Sequence, residues 1–169
     1  MVAYSTQNTL GADLQAVWTA GSGYTAYNEY PPFEAGQTTQ GTDGTIWQYC
    51  SFAATATQYD CVGIDENSAA ASMTKALADA SYKVGWVQVA ITAADSYAWV
   101  ALSGAQISGR ILASSTSDSP LWTTSTAGVL GTTSASQTKI GGVVAIASST
   151  TTTAQGLLAD FPSVVRPLG

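Results

Sequence analysis

The groups able to move protons or hold metals are few in this chain. There is no histidine among its 169 residues, which removes the commonest general base and the usual serine and cysteine triads. Asp65 and Glu66 are adjacent, with Asp60 close before them. They read in two ways. One is a carboxylate site for acid–base work; the other is the exit of a hairpin and the start of a helix, where acids meet the positive end of the helix dipole. The second is the simpler reading, because paired acids for glycoside cleavage need a separation across a cleft that spacing along the chain does not supply. No GxSxG, P-loop or GxGxxG occurs, so neither a nucleophile elbow nor a phosphate cradle is in view. The two cysteines, Cys50 and Cys61, have no histidine to complete a zinc set. The chain is therefore expected not to be an enzyme and to use no cofactor and no metal.

The aromatic residues carry more information. Trp47, Tyr49, Trp86 and Trp99 fall in strand-like runs, where rings either stack on sugars or, more commonly, fill a core or a subunit interface. Tyr4, Trp18, Tyr24, Tyr27, Tyr30 and Phe33 lie among Gly, Ser, Thr and Asn with no sustained period, and Pro31-Pro32 forces an extended segment. A frayed terminus is the bland reading. Six aromatics in so short a stretch argue instead for an arm that lies on its own domain or a neighbour, since disordered segments are poor in aromatics. Candidate interface residues are thus Tyr4, Trp18, Tyr24, Tyr27, Tyr30, Phe33, Trp47, Trp86 and Trp99. Trp122, close after Pro120, reads as a loop anchor, and the Ser/Thr run at 148–153 as an exposed loop.

The elements that must position these residues are organised around residues 83–109, KVGWVQVAITAADSYAWVALSGAQISG. A turn at 93–96 places Val87 opposite Leu102, Val89 opposite Val100 and Ile91 opposite Ala98, which gives one apolar face. The other face carries Trp86, Gln88 and Ala90 against Ser103, Ala101 and Trp99 and suits a second layer or a neighbouring subunit. A second hairpin is expected from 45–52 and 59–64, after a turn at Gly41-Thr42-Asp43-Gly44. Its register puts Trp47 opposite Ile64, Tyr49 opposite Val62, Phe52 against Tyr59 and Cys50 against Cys61. Directly opposed Cβ atoms are slightly wide for a disulfide, so two buried thiols are the simpler reading and a Cys50–Cys61 bridge the other.

Asn67-Ser68 then predicts the cap of a helix over 69–80, with Met73, Ala76, Leu77 and Ala80 on one face and Lys75 and Asp79 paired on the other. Further strands are expected at 105–113, with Gly109 as a bulge or close contact, at 121–124 and 129–130 around a turn, at 139–147 interrupted by Gly141-Gly142, and at 154–159. The fold predicted is mainly β: a small β-barrel or β-sandwich of about eight short strands with one short helix near 68–80 and an extended N-terminal arm. Residues 1–43 form the arm, 44–162 the body and 163–169 a tail.

Charge narrows the partners. Only 9% of residues are charged and the net charge is −6, with Lys75, Lys83, Arg110, Lys139 and Arg166 scattered rather than clustered. No basic patch exists for a phosphate backbone, so nucleic acid is not an expected partner. The longest apolar runs, such as GGVVAIA at 141–147, fall far short of a bilayer span, and MVAYSTQNTLGADLQ lacks a basic start followed by an apolar core. Membrane binding and classical secretion are not signalled. A surface of Ser, Thr, Gln and Gly hydrates without repelling its own kind, which suits a subunit of a larger assembly.

The order of segments from residue 82 onward is distinctive: GWVQ at 85–88, LSG at 102–104, PLWTTSTAGVL at 120–130, KIGGVVAIA at 139–147 and AQGLLADFP at 154–162. In this order the chain resembles the small capsid decoration, or cement, proteins of tailed bacteriophages, over residues 41–162 and best in the second half. That resemblance implies a non-enzymatic virion protein, made in the host cytoplasm, that binds the outer surface of the assembled head and stabilises it. The partners implied are the major capsid protein and further copies of the chain, often as a homotrimer. Residues 1–40 match nothing in the family. A glycan-binding head-fibre or adhesin module is the alternative, and a tail or tube component a second one.

Overall fold

In a computed structural model, which describes residues 12–20, 30–80, 83–134 and 137–165, one long strand belongs to two sheets. This is β7 (Ser96–Ile111), sixteen residues in length. Its first half pairs along one edge with β3 (Ile46–Phe52), Tyr49 opposite Trp99 and Cys50 opposite Ala98. Its other edge takes β6 (Lys83–Val87), Val87 opposite Val100, and then β1 (Val17–Thr19), Val17 opposite Ala98. Its second half pairs with β11 (Thr153–Val165), Leu157 opposite Ile107.

From that second half a barrel closes. β7 runs parallel to β9 (Leu130–Gly131), β9 pairs with β8 (Pro120–Thr123), β8 with β10 (Lys139–Ala145), β10 with β11, and β11 returns to β7. Closure leaves these strands few free edges. Ile107, Ile111, Leu121, Leu130, Ile140 and Leu157 fill the interior, each no more than 2% exposed; full burial of such a side chain contributes about 1.5–3 kcal/mol. The mainly β class and the barrel are as the sequence predicts. The described residues form eleven strands rather than eight, with one helix, α1 (Lys75–Ala80).

The first half of β7 carries the flanking sheet. β6 continues to β4 (Cys61–Ile64) and β5 (Ala70–Ser72), while β3 continues to β2 (Thr38–Gln40). A parallel bridge from Ser51 to Ala69 ties β3 to the start of β5. The expected two faces of the 83–109 segment are both present and both covered. Val87, Ile91, Ala98 and Val100 share one core cluster with Cys50, Phe52, Val62 and Ile64, with Val89 and Leu102 packed against it. Trp86, Trp99 and Ala101 join the other cluster, which is continuous with the barrel interior.

Several expected pairings are replaced. In the 83–109 segment, Val87 faces Val100 rather than Leu102, a slip of two residues that preserves which side chains point to which face. The chain leaves the sheet after Val87, where the Gln88 side chain bonds both the carbonyl and the amide of Ser108 at 2.9 and 3.2 Å. Ile91 then bridges Ala56, and β1 occupies the vacated edge of β7.

The hairpin of 45–52 with 59–64 does not form. β4 is buried at every position and has β5 and β6 on its two edges, so it has no edge left for β3. The intervening loop instead crosses to the β6–β7 junction, where the Tyr59 amide donates to Val87 and its carbonyl accepts from Arg110, both at 2.8 Å.

The helix is shorter than 69–80 because the alanines before it are used as β5, and Met73 donates its amide to the Cys61 carbonyl. Thr74, not Asn67-Ser68, caps it, its Oγ1 accepting from Leu77 at 3.1 Å. Of the expected apolar stripe, Met73 is buried just before the helix and Leu77 is half-buried, but Ala76 and Ala80 are exposed and the helix itself buries Ala78. Lys75 and Asp79 do pair, at 3.5 Å. Residues 12–20 and 38–40, expected in an arm, supply β1 and β2, and β11 runs on through Val165 into the expected tail.

Candidate interaction surfaces

The tryptophans singled out as interface candidates are in the core. Trp47, Trp86 and Trp99 are 4%, 0% and 1% exposed. Buried to this degree they offer no ring to a partner or a sugar; each belongs to the core cluster that is continuous with the barrel interior. Trp86 explains the glycine opposite: a Cβ on Gly109 would sit 2.9 Å from Trp86 Nε1 and 2.4 Å from Leu157 Cδ1, the close contact the sequence predicts there. Trp47 Nε1, Trp86 Nε1, Trp99 Nε1 and the Tyr49 hydroxyl have no hydrogen-bond partner among the described residues. Each such group costs about 1–3 kcal/mol, a cost opposed by the large apolar area these rings bury. Burial, and then the nearby Tyr97, push the Tyr49 phenol above its ordinary value.

Part of the predicted arm is held down by these same rings. Phe33 packs edge-on against Tyr49 and Trp99 at 5.4 and 5.1 Å between centroids, and Trp18 against Tyr97 at 5.6 Å. Pro32, Phe33, Trp18 and Asp13 line a cleft of about 340 Å³ over Tyr49 and Trp99. Tyr30, just before Pro31-Pro32, is 80% exposed. Tyr4, Tyr24 and Tyr27 lie outside the described residues.

The thiols belong to opposite layers. Cys50 sits in the cluster with Phe52 and Val100, Cys61 in the one with Trp86, and both are free. The register that set them face to face is not the one adopted, so no bridge forms. Burial, offset in part by Lys83 and reinforced by Asp65, pushes the Cys50 thiol up to about 12. Burial, with Asp60 adding to it, raises Cys61 as well. Thiols so shielded are poor nucleophiles.

Asp65 is structural, as the simpler reading has it, although it caps a turn: its Oδ1 accepts from Asn67 and Ala69 at 2.9 and 2.8 Å. Asp60 is the acid the sequence undervalues. It is 3% exposed and receives Arg110 Nη1 at 2.6 Å, Ser72 Oγ at 2.9 Å and the Thr57 amide at 3.0 Å. Gly128 packs so closely on this carboxylate that a Cβ there would lie 2.2 Å from its carbon. Arg110 alone was the available signal: a charge in the apolar run AQISGRILA needs a partner. Among the described residues, no group of three or more His, Cys, Asp or Glu side chains could hold a metal ion, and no helix is long and apolar enough to cross a membrane.

A second surface was not anticipated. On the outer wall of the barrel, Ile146 just after β10 and Leu158, Phe161 and Val165 of β11 are exposed, at 55%, 49%, 70% and 43%. Val144, directly opposite Leu158, is half-buried on the same face. A dent of about 380 Å³ lies beside Val144 and Leu158, lined also by Asp118, Lys139, Gly141, Gly142 and Asp160 among others. The dent exists because the bulge at Gly141-Gly142 has no side chains. Gly142 has φ +71°, and a Cβ there would lie 2.6 Å from the Asp160 carbonyl oxygen. Across the bulge Phe161 has φ 43°, a left-handed conformation uncommon for a bulky residue, and its ring stands in solvent. Gly141-Gly142 was legible as an interruption; the flip at Phe161 was not.

No protein-family model, curated protein or solved structure matches the chain.

Proposed function

We propose that this chain is a virion structural protein, a decoration subunit that binds the outer surface of an assembled tailed-phage head and stabilises it against internal pressure. The observation that carries this reading is the exterior of the molecule. Only 9% of residues are charged, three of the four tryptophans named as candidates are withdrawn into the core, and what remains outside is polar, sparsely charged surface interrupted by exposed apolar side chains. Such an exterior adheres through area rather than through a reactive cleft. The segment order from residue 82 onward supports the same reading. Attachment in many copies multiplies a modest single-site affinity. The partner is the major capsid protein, and the exposed Tyr30, anchored through Pro31-Pro32 and Phe33 to the flanking sheet, is the contact we assign to it.

Co-sedimentation of the purified chain with heads depleted of it, from the phage whose genome encodes it, tests this. Saturable binding is expected, with Tyr30→Ala weakening it about tenfold or more while the variant stays folded. Heads that leave the chain in the supernatant would overturn the proposal. A glycan-binding module would need exposed rings as a platform, and Trp47, Trp86 and Trp99 do not supply them.

A further inference from the structure

We propose that the cleft between β1 and Pro32-Phe33 is a binding site for an extended, proline-containing segment of a partner protein that carries a basic side chain. This does not rest on binding to a head.

The cleft, about 340 Å³, falls in the size range of ligand sites. Its walls are Ala16, Val17, Trp18, Pro32 and Phe33. Trp18 and Phe33 are half-buried, so both keep ring surface open, unlike the tryptophans of the core. Tyr49 and Trp99 line the same cleft at 2% and 1% exposure and so form its floor.

The floor holds unpaired donors. Of the four buried side-chain polar atoms without a partner among the described residues, two belong to this cleft, the Tyr49 hydroxyl and Trp99 Nε1. The other two are closed in by glycines: a Cβ on Gly109 would lie 2.9 Å from Trp86 Nε1, and one on Gly41 would lie 3.1 Å from Trp47 Nε1. An unpaired buried donor is a standing cost that an acceptor delivered by a ligand removes. Because burial and Tyr97 raise the Tyr49 phenol above its ordinary value, it keeps its proton and can donate.

These donors select the ligand. A carbonyl oxygen satisfies an O–H or an indole N–H, but most peptide units bring an N–H that needs an acceptor in turn, and Asp13 is the one carboxylate that lines the cleft. Proline supplies the preceding carbonyl with no N–H and packs its ring on aromatic walls, as in the grooves that bind polyproline helices. A sugar hydroxyl would bring a donor with every acceptor. Asp13 sets the charge. It is exposed, its Oδ1 accepts from the Gln15 amide at 2.9 Å, and neither ion pair of the described residues uses it. A carboxylate beside an aromatic cleft favours a lysine or arginine next to the prolines, and such a cation also lies well on the Trp18 ring.

Titration calorimetry of the purified full chain, without heads, with the peptide acetyl-Pro-Pro-Arg-Pro-amide tests this separately from the proposed function. Saturable binding of one peptide per chain is expected, with a dissociation constant of about 10–500 µM. Tyr49→Phe keeps the ring and removes the unpaired hydroxyl, so it should leave the thermal midpoint unchanged or higher while weakening the peptide at least about fivefold. Asp13→Asn should weaken it about threefold or more at low salt. No binding up to about 2 mM, equal affinity for the Tyr49→Phe variant, or equal affinity for a peptide with alanine in place of each proline would overturn the inference. So would a lowered midpoint in Tyr49→Phe, which would mean that the hydroxyl is already paired in the free protein.

Discussion

The flanking sheet and the outer wall of the barrel differ in where their large apolar side chains end up. In the sheet, Trp47, Tyr49, Trp86 and Trp99 are buried on one face, Trp86 against Gly109 of β7 and Tyr49 and Trp99 beneath Phe33, and Phe52, Val87 and Val100 are buried on the other. In the β10–β11 wall the interior takes Ile140, Ala145 and Leu157, and the outside keeps Ile146, Leu158 and Phe161 in water. Aromatic density therefore does not locate the exposed apolar surface of this protein. A strand buried on both faces uses large rings as filler, whereas a barrel wall has one face to fill, and apolar residues on its other face have no structural duty. The wall leaves apolar side chains in water, while the sheet uses its rings to fill the core.

Substitutions that remove filler should be costly, and substitutions on the wall should not. Trp86→Ala, in the layer where sheet and barrel meet, is expected to cost about 3–5 kcal/mol in urea unfolding; a loss below about 1 kcal/mol would mean that the layer is not a packed core. Arg110→Ala leaves Asp60 buried with only Ser72 and the Thr57 amide and should cost about 3 kcal/mol, more than Asp60→Asn, which keeps hydrogen-bonding capacity. Gly109→Ala presses a methyl group onto Leu157 and the Trp86 ring and should cost about 1–3 kcal/mol.

The thiols sharpen the contrast through pH. Cys50 titrates near 9 when unfolded and is pushed up to about 12 in the fold. Below pH 9 both states hold the proton and nothing changes. As pH rises above 9 the unfolded state loses its proton first, so stability falls between about 9 and 12, by at most about 1.4 kcal/mol per pH unit for each thiol. Cys50→Ala should flatten that decline, and neither thiol should react with a disulfide reagent until the protein unfolds. On the wall, Phe161→Asn should change stability by less than about 0.5 kcal/mol.

Much of this arrangement is legible in the residues. Alternation along 83–109 identifies both buried faces correctly, although the register is two residues off. Parity is a property of the strand alone, while register depends on what else competes for the edge, and β1 from the N-terminal segment was the competitor. The β3–β4 hairpin misleads for the same reason: two alternating runs joined by a loop look like partners, yet β4 finds β5 and β6 and β3 finds β7 and β2. The Ala-rich 69–72 segment has helical spacing, but a strand position beside β4 overrides a local preference worth only tenths of a kcal/mol per residue. Glycines are the better guide, since Gly109 and Gly141-Gly142 mark a close contact and a bulge where expected. The exposed Phe161 depends on a backbone flip that no periodicity encodes, so the apolar wall is visible only in three dimensions.

Adhesion to a viral head is the work proposed for this fold. Cryo-electron microscopy of heads with and without the chain tests that most directly: the account predicts added density on the outer capsid surface that fits a five-stranded barrel with its flanking sheet. Identical maps from the two samples would contradict it.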